Sequence, residues 1–119
     1  MLLSKLHRAT VTGADVNYVG SISIDANLMQ AAKLLEGQQV DVLDVTNGAR
    51  LTTYVIPAPA GSGQVVLNGA AARLVAVGDL VIVVAYGLMD QATAQTHRPT
   101  VIHLDKLNRV VAAGSDPSA

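Results

Sequence analysis

A chain of 119 residues with 50% hydrophobic residues, no Phe, no Trp and three Tyr is long enough for one domain, 1–119, and its core must be aliphatic. A net charge of −1 provides no basic field for nucleic acid or an anionic membrane surface. The absence of Cys excludes disulfides, thiolate catalysis and Cys-based metal sites.

Residues 2–12 alternate loosely and include Thr10, Val11 and Thr12, which predicts a first strand. Gly13-Ala14-Asp15 is expected to turn. Val16 to Ile24 then reads as a second strand, interrupted by Gly20-Ser21. From Asp25 the period changes. Leu28, Ala31, Ala32 and Leu35 fall at helical spacing, with Asp25 or Asn27 to cap the start and Gly37 to end the helix. Val40 to Val45 predicts a strand. Asn47-Gly48 predicts a two-residue type I′ hairpin into a return strand, about Arg50 to Ile56.

Residues 57–63, rich in Pro, Ala and Gly, are expected to form a loop. Gln64 to Leu67 reads as a short strand, Ala70 to Leu74 as a helical turn, and Leu80 to Tyr86 as a buried strand after a turn at Val77-Gly78-Asp79. A last strand is expected at about Thr100 to Leu104, and the tail from Val110 onward as frayed. Short strands with Gly-rich turns and little helix predict a mainly β fold, a small barrel. A mean hydropathy of +0.39 with 14% charged residues predicts apolar surface covered by other subunits, and so a homo-oligomer.

Three Gly-Ser pairs occur. Gly61-Ser62 lies in the Pro/Gly loop and Gly114-Ser115 in the tail, where flexibility explains both. Gly20-Ser21 is flanked by Tyr18-Val19 and Ile22-Ser23-Ile24, all strand formers, so it needs another reason. One reading is a β-bulge or a barrel bend. The other is self-cleavage: the Ser21 hydroxyl attacks the Gly20 carbonyl, the resulting ester eliminates to dehydroalanine, and hydrolysis leaves an N-terminal pyruvoyl group. An unshielded glycine carbonyl and a strained backbone would favour that attack.

Lys5-Leu6-His7-Arg8, Tyr18-Val19-Gly20-Ser21, Ile24-Asp25, Val45-Thr46-Asn47-Gly48, Thr53-Tyr54 and Asn68-Gly69-Ala70-Ala71 together resemble the bacterial pyruvoyl-dependent aspartate 1-decarboxylases. The similarity runs in order, with matching gaps, to about His97-Arg98-Pro99. It implies a six-stranded double-psi β-barrel assembled as a tetramer, with active sites between subunits. It also implies conversion of L-aspartate to β-alanine and CO₂, for pantothenate synthesis. Cleavage between Gly20 and Ser21 would give a β chain, 1–20, and an α chain, 21–119. The ketone made from Ser21 would form a Schiff base with the substrate amine, so neither metal nor pyridoxal phosphate is implied. The resemblance leaves room for an accessory maturation factor.

By the same resemblance, Ser21 and Tyr54 are the catalytic residues, with Tyr54 as the proton donor to the α-carbon. Gly20, Ser21, Thr53 and Asn68 serve cleavage. Lys5, His7, Arg50, Thr53, Gly69, Ala70 and Ala71 contact substrate. Arg50 grips a carboxylate with its planar fork, and Lys5 and His7 add positive charge. Taken alone, Tyr54 could equally pack at an interface, and Arg50, Lys5 and His7 could be solvated surface residues. Strand alternation puts Arg50, Thr52 and Tyr54 on one face and Thr53 on the other. Either a bulge intervenes, or Thr53 and Tyr54 serve neighbouring sites across a subunit interface. Asn17, Ile22 and His97 depart from residues common in the family, and Ile22 adjoins the scissile bond.

His7, His97 and His103 are too scattered to predict a metal site, and no Gly-rich phosphate loop opens a helix. The N-terminus does not read as a signal peptide and no run is long enough to span a bilayer, so a cytoplasmic location is expected. The rivals are a small β-barrel interaction module, in which Gly20-Ser21 is only a bulge, and a precursor that never cleaves.

Overall fold

The computed structural model describes residues 1–118. Nine strands are present: β1 (Leu2–Thr10), β2 (Gly13–Asp15), β3 (Ser21–Asp25), β4 (Gln39–Asp44), β5 (Arg50–Ala58), β6 (Val65–Asn68), β7 (Leu80–Tyr86), β8 (Thr100–Leu104) and β9 (Val110–Gly114). Two short helices, α1 (Ala26–Ala31) and α2 (Gln91–Thr96), and a 3₁₀ helix at Gly69–Leu74 complete the chain. The fold is mainly β with short helices, as expected.

The strands pair in the order β2-β6-β3-β5-β4-β7-β1-β8-β9. Only Val11 and Thr12 separate β1 from β2. The Val11 N–H donates to the Asp79 carbonyl at 2.9 Å and the Thr12 N–H to the Val65 carbonyl at 2.8 Å. The bent segment β1–β2 therefore seats β7 on one side and β6 on the other, and six strands ring one core. That core is aliphatic, with Leu6, Ile22, Ile24, Val40, Val42, Val55, Val65, Leu67, Val81 and Val83 all buried. Burying an aliphatic side chain contributes roughly 1.5–3 kcal/mol, so a core without aromatic rings suffices at this size. β8 and β9 form an antiparallel flap outside the ring, attached through β1.

Several local expectations shift. Gly13–Asp15 is a strand, paired parallel with β6, and the turn comes later. The Asp15 carboxylate accepts the Asn17 N–H at 3.0 Å, an Asx turn that ends the strand. Consequently Gly20-Ser21 is not in mid-strand: residues 16–20 are outside any strand and β3 starts at Ser21. The β4–β5 hairpin exists, but Asn47-Gly48 is not a type I′ turn. Gly48 has φ +80° while Asn47 stays out of the left-handed region. The Asp44 carboxylate instead accepts the Thr46 and Asn47 N–H groups, and the Gly48 N–H reaches back to the Asp44 carbonyl, making a longer loop.

Asp25 caps α1 as expected, but the helix ends before Leu35, with Lys33 in the left-handed region. Gly37 instead donates to the Val55 carbonyl in the return to β4. α2 is a helix with no buried residue, capped by Asp90. The tail is not frayed at Val110–Gly114, where β9 pairs with β8 across a turn stabilised by the Asp105 carboxylate.

Candidate active site

Ser21 opens β3, which runs parallel to β5 and antiparallel to β6. Both ladders of β3 run without a register shift, so Gly20-Ser21 does not mark a bulge. Alternation turns Ile22 and Ile24 into the core, with Val55, Val65 and Leu67. Ile22, beside the proposed scissile bond, is thus a core residue on the face opposite the Ser21 hydroxyl. Ser21 and Ser23 share the outer face with Asn68, the ladder partner of Ser21. The Asn68 Nδ2 donates to Ser21 Oγ at 3.0 Å and to Ser23 Oγ at 2.9 Å. Ser21 and Asn68 are buried although both are polar, and the shared hydrogen bond lowers the cost of desolvating them. The nearest acceptor for the Ser21 hydroxyl is the Val19 carbonyl, at 3.5 Å.

Backbone strain lies at Gly69 rather than at Gly20. Gly69 has φ +67°, and a β-carbon there would lie 2.7 Å from the Gly20 Cα, 3.0 Å from its nitrogen and 3.2 Å from the Tyr18 carbonyl oxygen. Glycine is required at this position both by conformation and by space. A β-carbon on Gly20 would meet nothing within 4 Å, and Gly20 is not in the left-handed region. The expectation of a strained glycine before Ser21 is corrected accordingly. What glycine provides at position 20 is a carbonyl with no side chain of its own residue beside it. Ala70 and Ala71 follow in the 3₁₀ helix, Ala70 exposed and Ala71 packed against the core.

β5 approaches from the other side. Its residues alternate between exposed (Arg50, Thr52, Tyr54) and more buried (Leu51, Thr53, Val55). The ladders of β5 carry no shift, which removes the bulge and leaves Thr53 and Tyr54 on opposite faces. Val55 pairs with Ile22, so Tyr54 stands at the register level of Ser21. Arg50 lies four residues away, near the turn, opposite Leu43.

Lys5 and His7 lie on β1, which pairs with β7 and β8 and shares no ladder with β3. The chain by itself does not bring them into a ladder with Ser21. Lys5 Nζ donates to the Pro117 carbonyl at 3.1 Å. The His7 ring meets His103 edge to face, with centroids 5.1 Å apart, and its Nδ1 is buried without a partner among the described residues. Burial, then charge repulsion from the neighbouring Lys5, His103 and Arg8 side chains, lowers the His7 pKa from its ordinary value. These surroundings disfavour the charged form of the ring.

Cavities of about 440 Å³ between α1 and Pro57, and about 370 Å³ beside Asp25 and Asn108, are lined by other residues than Ser21. Among the described residues no group of three or more His, Cys, Asp or Glu could hold a metal. No helix there is long and apolar enough to cross a membrane. Ser23 carries no motif of its own. The available signal was its spacing, two residues after Ser21 on the same strand face.

The sequence profile of the aspartate decarboxylase family matches residues 1–111. The aspartate 1-decarboxylase of Moorella thermoacetica is 58% identical over 112 residues, covering 94% of this chain and 88% of that protein. Among solved structures, the rationally designed mkDPBB_sym_86 protein aligns with a TM-score of 0.49 and 21% identity, over 65% of this chain and 90% of its own. The computationally designed msDPBB_sym2 protein aligns with a TM-score of 0.44 and 22% identity, over 70% and 94%.

Proposed function

The chain belongs to the aspartate decarboxylase family and converts L-aspartate to β-alanine and CO₂, and we propose that it does so with a pyruvoyl group made from its own Ser21. The observation that carries this reading is the buried Ser21 hydroxyl at the start of a strand, hydrogen-bonded by Asn68 and directly following Gly20. These residues fit the group: the precursor serine is present, the residue before it carries no side chain, and Gly69 leaves the Gly20 segment room to sit. A ketone at residue 21 supplies the electron sink that loss of a carboxylate requires.

The chain's own groups do the rest. Thr53 and Asn68 assist cleavage of the Gly20–Ser21 bond. Tyr54, at the register level of Ser21, donates a proton to the substrate α-carbon. Arg50 holds a substrate carboxylate in two parallel hydrogen bonds, and Lys5 adds a second cation. His7 contacts the substrate as a hydrogen-bonding group. The small Gly69, Ala70 and Ala71 let substrate approach the backbone.

The site is completed between subunits of a homo-oligomer, a tetramer in this reading. Three features support that arrangement: Lys5 and His7 share no ladder with β3, Thr53 and Tyr54 lie on opposite faces of an unbulged strand, and Tyr18 and Val19 expose apolar side chains beside Gly20. In this reading the enzyme works in the cytoplasm, supplying β-alanine to pantothenate synthesis, and an accessory factor that speeds cleavage is compatible with it.

Intact-mass measurement tests the reading. Two species are expected, residues 1–20 and residues 21–119, the larger blocked to N-terminal sequencing. A single uncleaved chain that stays whole on warming would favour the precursor or the binding module, and decarboxylation retained in Ser21→Ala would overturn the mechanism.

A further inference from the structure

An amide nitrogen has two hydrogens, and the structure commits both hydrogens of Asn68 Nδ2 to serines: one to Ser21 Oγ at 3.0 Å, the other to Ser23 Oγ at 2.9 Å. Ser23 is half-buried and is not part of the scissile bond. Alternation along β3 nonetheless puts its hydroxyl on the face of Ser21, and the unshifted β3–β6 ladder sets Asn68 opposite Ser21, from where its side chain reaches both hydroxyls. We infer that Ser23 is a positioning residue for chain cleavage, which aims one Asn68 N–H at Ser21 Oγ by accepting the other. This rests on the reading that Gly20–Ser21 is the bond that breaks.

The chemistry says at which step the hydrogen bond counts. In the first step Oγ bonds to the Gly20 carbonyl carbon, the C–N bond breaks, and the hydroxyl proton ends on the nitrogen of residue 21. The products are an ester and a free amine. In the second step the α-proton of residue 21 is removed, a double bond forms between Cα and Cβ, and the Cβ–Oγ bond breaks. Its electron pair leaves on Oγ, which becomes part of the Gly20 carboxylate. The enamine left behind takes up water and releases ammonia, giving the ketone. A donor on Oγ withdraws density from the nucleophile in the first step, and in the second it stabilises the charge that collects on the leaving oxygen. Oγ stays bonded to Cβ throughout the first step, so it enters the second still within the Asn68 environment. The Ser23–Asn68–Ser21 chain therefore serves elimination rather than attack.

The test is a time course of cleavage on freshly purified full chains of wild type, Ser23→Ala and Ser23→Thr, with and without hydroxylamine. Hydroxylamine splits an ester but not a peptide, and leaves residue 21 as an ordinary N-terminal serine that can be sequenced. Ser23→Ala is expected to mature roughly tenfold more slowly, the rate equivalent of one lost hydrogen bond, and to accumulate a hydroxylamine-sensitive chain. Ser23→Thr, which keeps the hydroxyl, is expected to mature like wild type. Maturation of Ser23→Ala at the wild-type rate, or slow maturation without an ester pool, overturns the proposal. A wild-type chain that never cleaves overturns the reading of Gly20–Ser21 as well, and that failure is visible in the wild-type arm alone.

Discussion

Gly69 backs directly onto Gly20: a β-carbon on the first would stand 2.7 Å from the α-carbon of the second. Residues 49 apart in sequence thus share the space beside the bond proposed to break. Gly69→Ala must displace the Gly20 segment and adopt φ +67°, which costs about 1–2 kcal/mol for conformation alone. Gly37→Ala is a matched control, because Gly37 has φ +83° and open space around it. Both variants should lose thermal stability, Gly69→Ala the more because of its clash with the Gly20 backbone, and Gly69→Ala alone should mature at least tenfold more slowly. Equal maturation of the two would show that the contact with Gly20 does not matter.

Tyr54 is 40% exposed and stands level with Ser21, a position suited to a proton donor that closes off only when a neighbour covers it. Tyr54→Phe keeps the ring and its packing and removes the proton. It should cleave at the wild-type rate and then turn over about 10²–10⁴-fold more slowly, the usual contribution of a general acid. The measurement is kcat for β-alanine formation alongside intact mass. A variant with normal kcat would transfer the proton to another donor.

A second pair of groups titrates at the barrel end. Asp44 ends β4 and Asp79 precedes β7, and the Asp79 carbonyl accepts one of the bonds that close the ring. Asp44 Oδ1 accepts two backbone N–H groups, while its Oδ2 is buried without a donor among the described residues. Burial, and then the Asp79 carboxyl, raise the Asp44 pKa above its ordinary 3.8. The hydrogen bond from Asp44, and then the Ala76 N–H, lower that of Asp79. A raised carboxyl pKa stabilises the fold below its ordinary value and loses that contribution as pH rises through the raised one. The lowered Asp79 behaves oppositely, contributing above its ordinary value and losing it as pH falls. The pair is at its best with one shared proton, between the two shifted values. Asp44→Asn keeps the Oδ1 acceptor and gives Asp79 a permanent N–H donor. Its Tm should exceed that of wild type by a margin that grows from mildly acidic to neutral pH. Parallel Tm curves would show that no proton is shared.

The sequence signals that worked were those carried by neighbours along the chain. The apolar run at Leu80–Tyr86 can only be a buried strand, and the stripe beginning at Leu28 with Asp25 before it can only start a helix. β9 and α2 expose every residue or bury none, so no periodicity marks them; an Asp-centred turn and the ladder with β8 place β9, and an Asp cap starts α2. The start of β3 was misplaced because the Asx turn at Asp15 overrides the strand propensity of Val16, Tyr18 and Val19. In the site, flanking strand formers singled out Gly20-Ser21 from the other two pairs. The Gly69–Gly20 contact and the Asn68 bridge to Ser23 depend on the pairing of β3 with β6, a long-range register that no local pattern encodes.

Lys5 gives the most direct test of a site shared between subunits. It lies on β1, which shares no ladder with β3, so in the proposed intersubunit site the Lys5 that meets substrate beside a given Ser21 comes from another copy. Lys5→Ala loses a charge-assisted hydrogen bond to a dicarboxylate, worth about 1.5–3 kcal/mol, so kcat/KM should fall roughly 10–100-fold. Ser21→Ala cannot cleave and should be inactive. Co-expressed, the two chains form mixed oligomers in which some sites pair an intact Ser21 from one copy with an intact Lys5 from the other. Those sites should restore a measurable fraction of wild-type activity, with unchanged KM. Mixing the two purified homo-oligomers without exchange should restore none. If the mixed oligomers are no more active than the sum of their parents, each site draws both residues from one chain and the intersubunit arrangement fails.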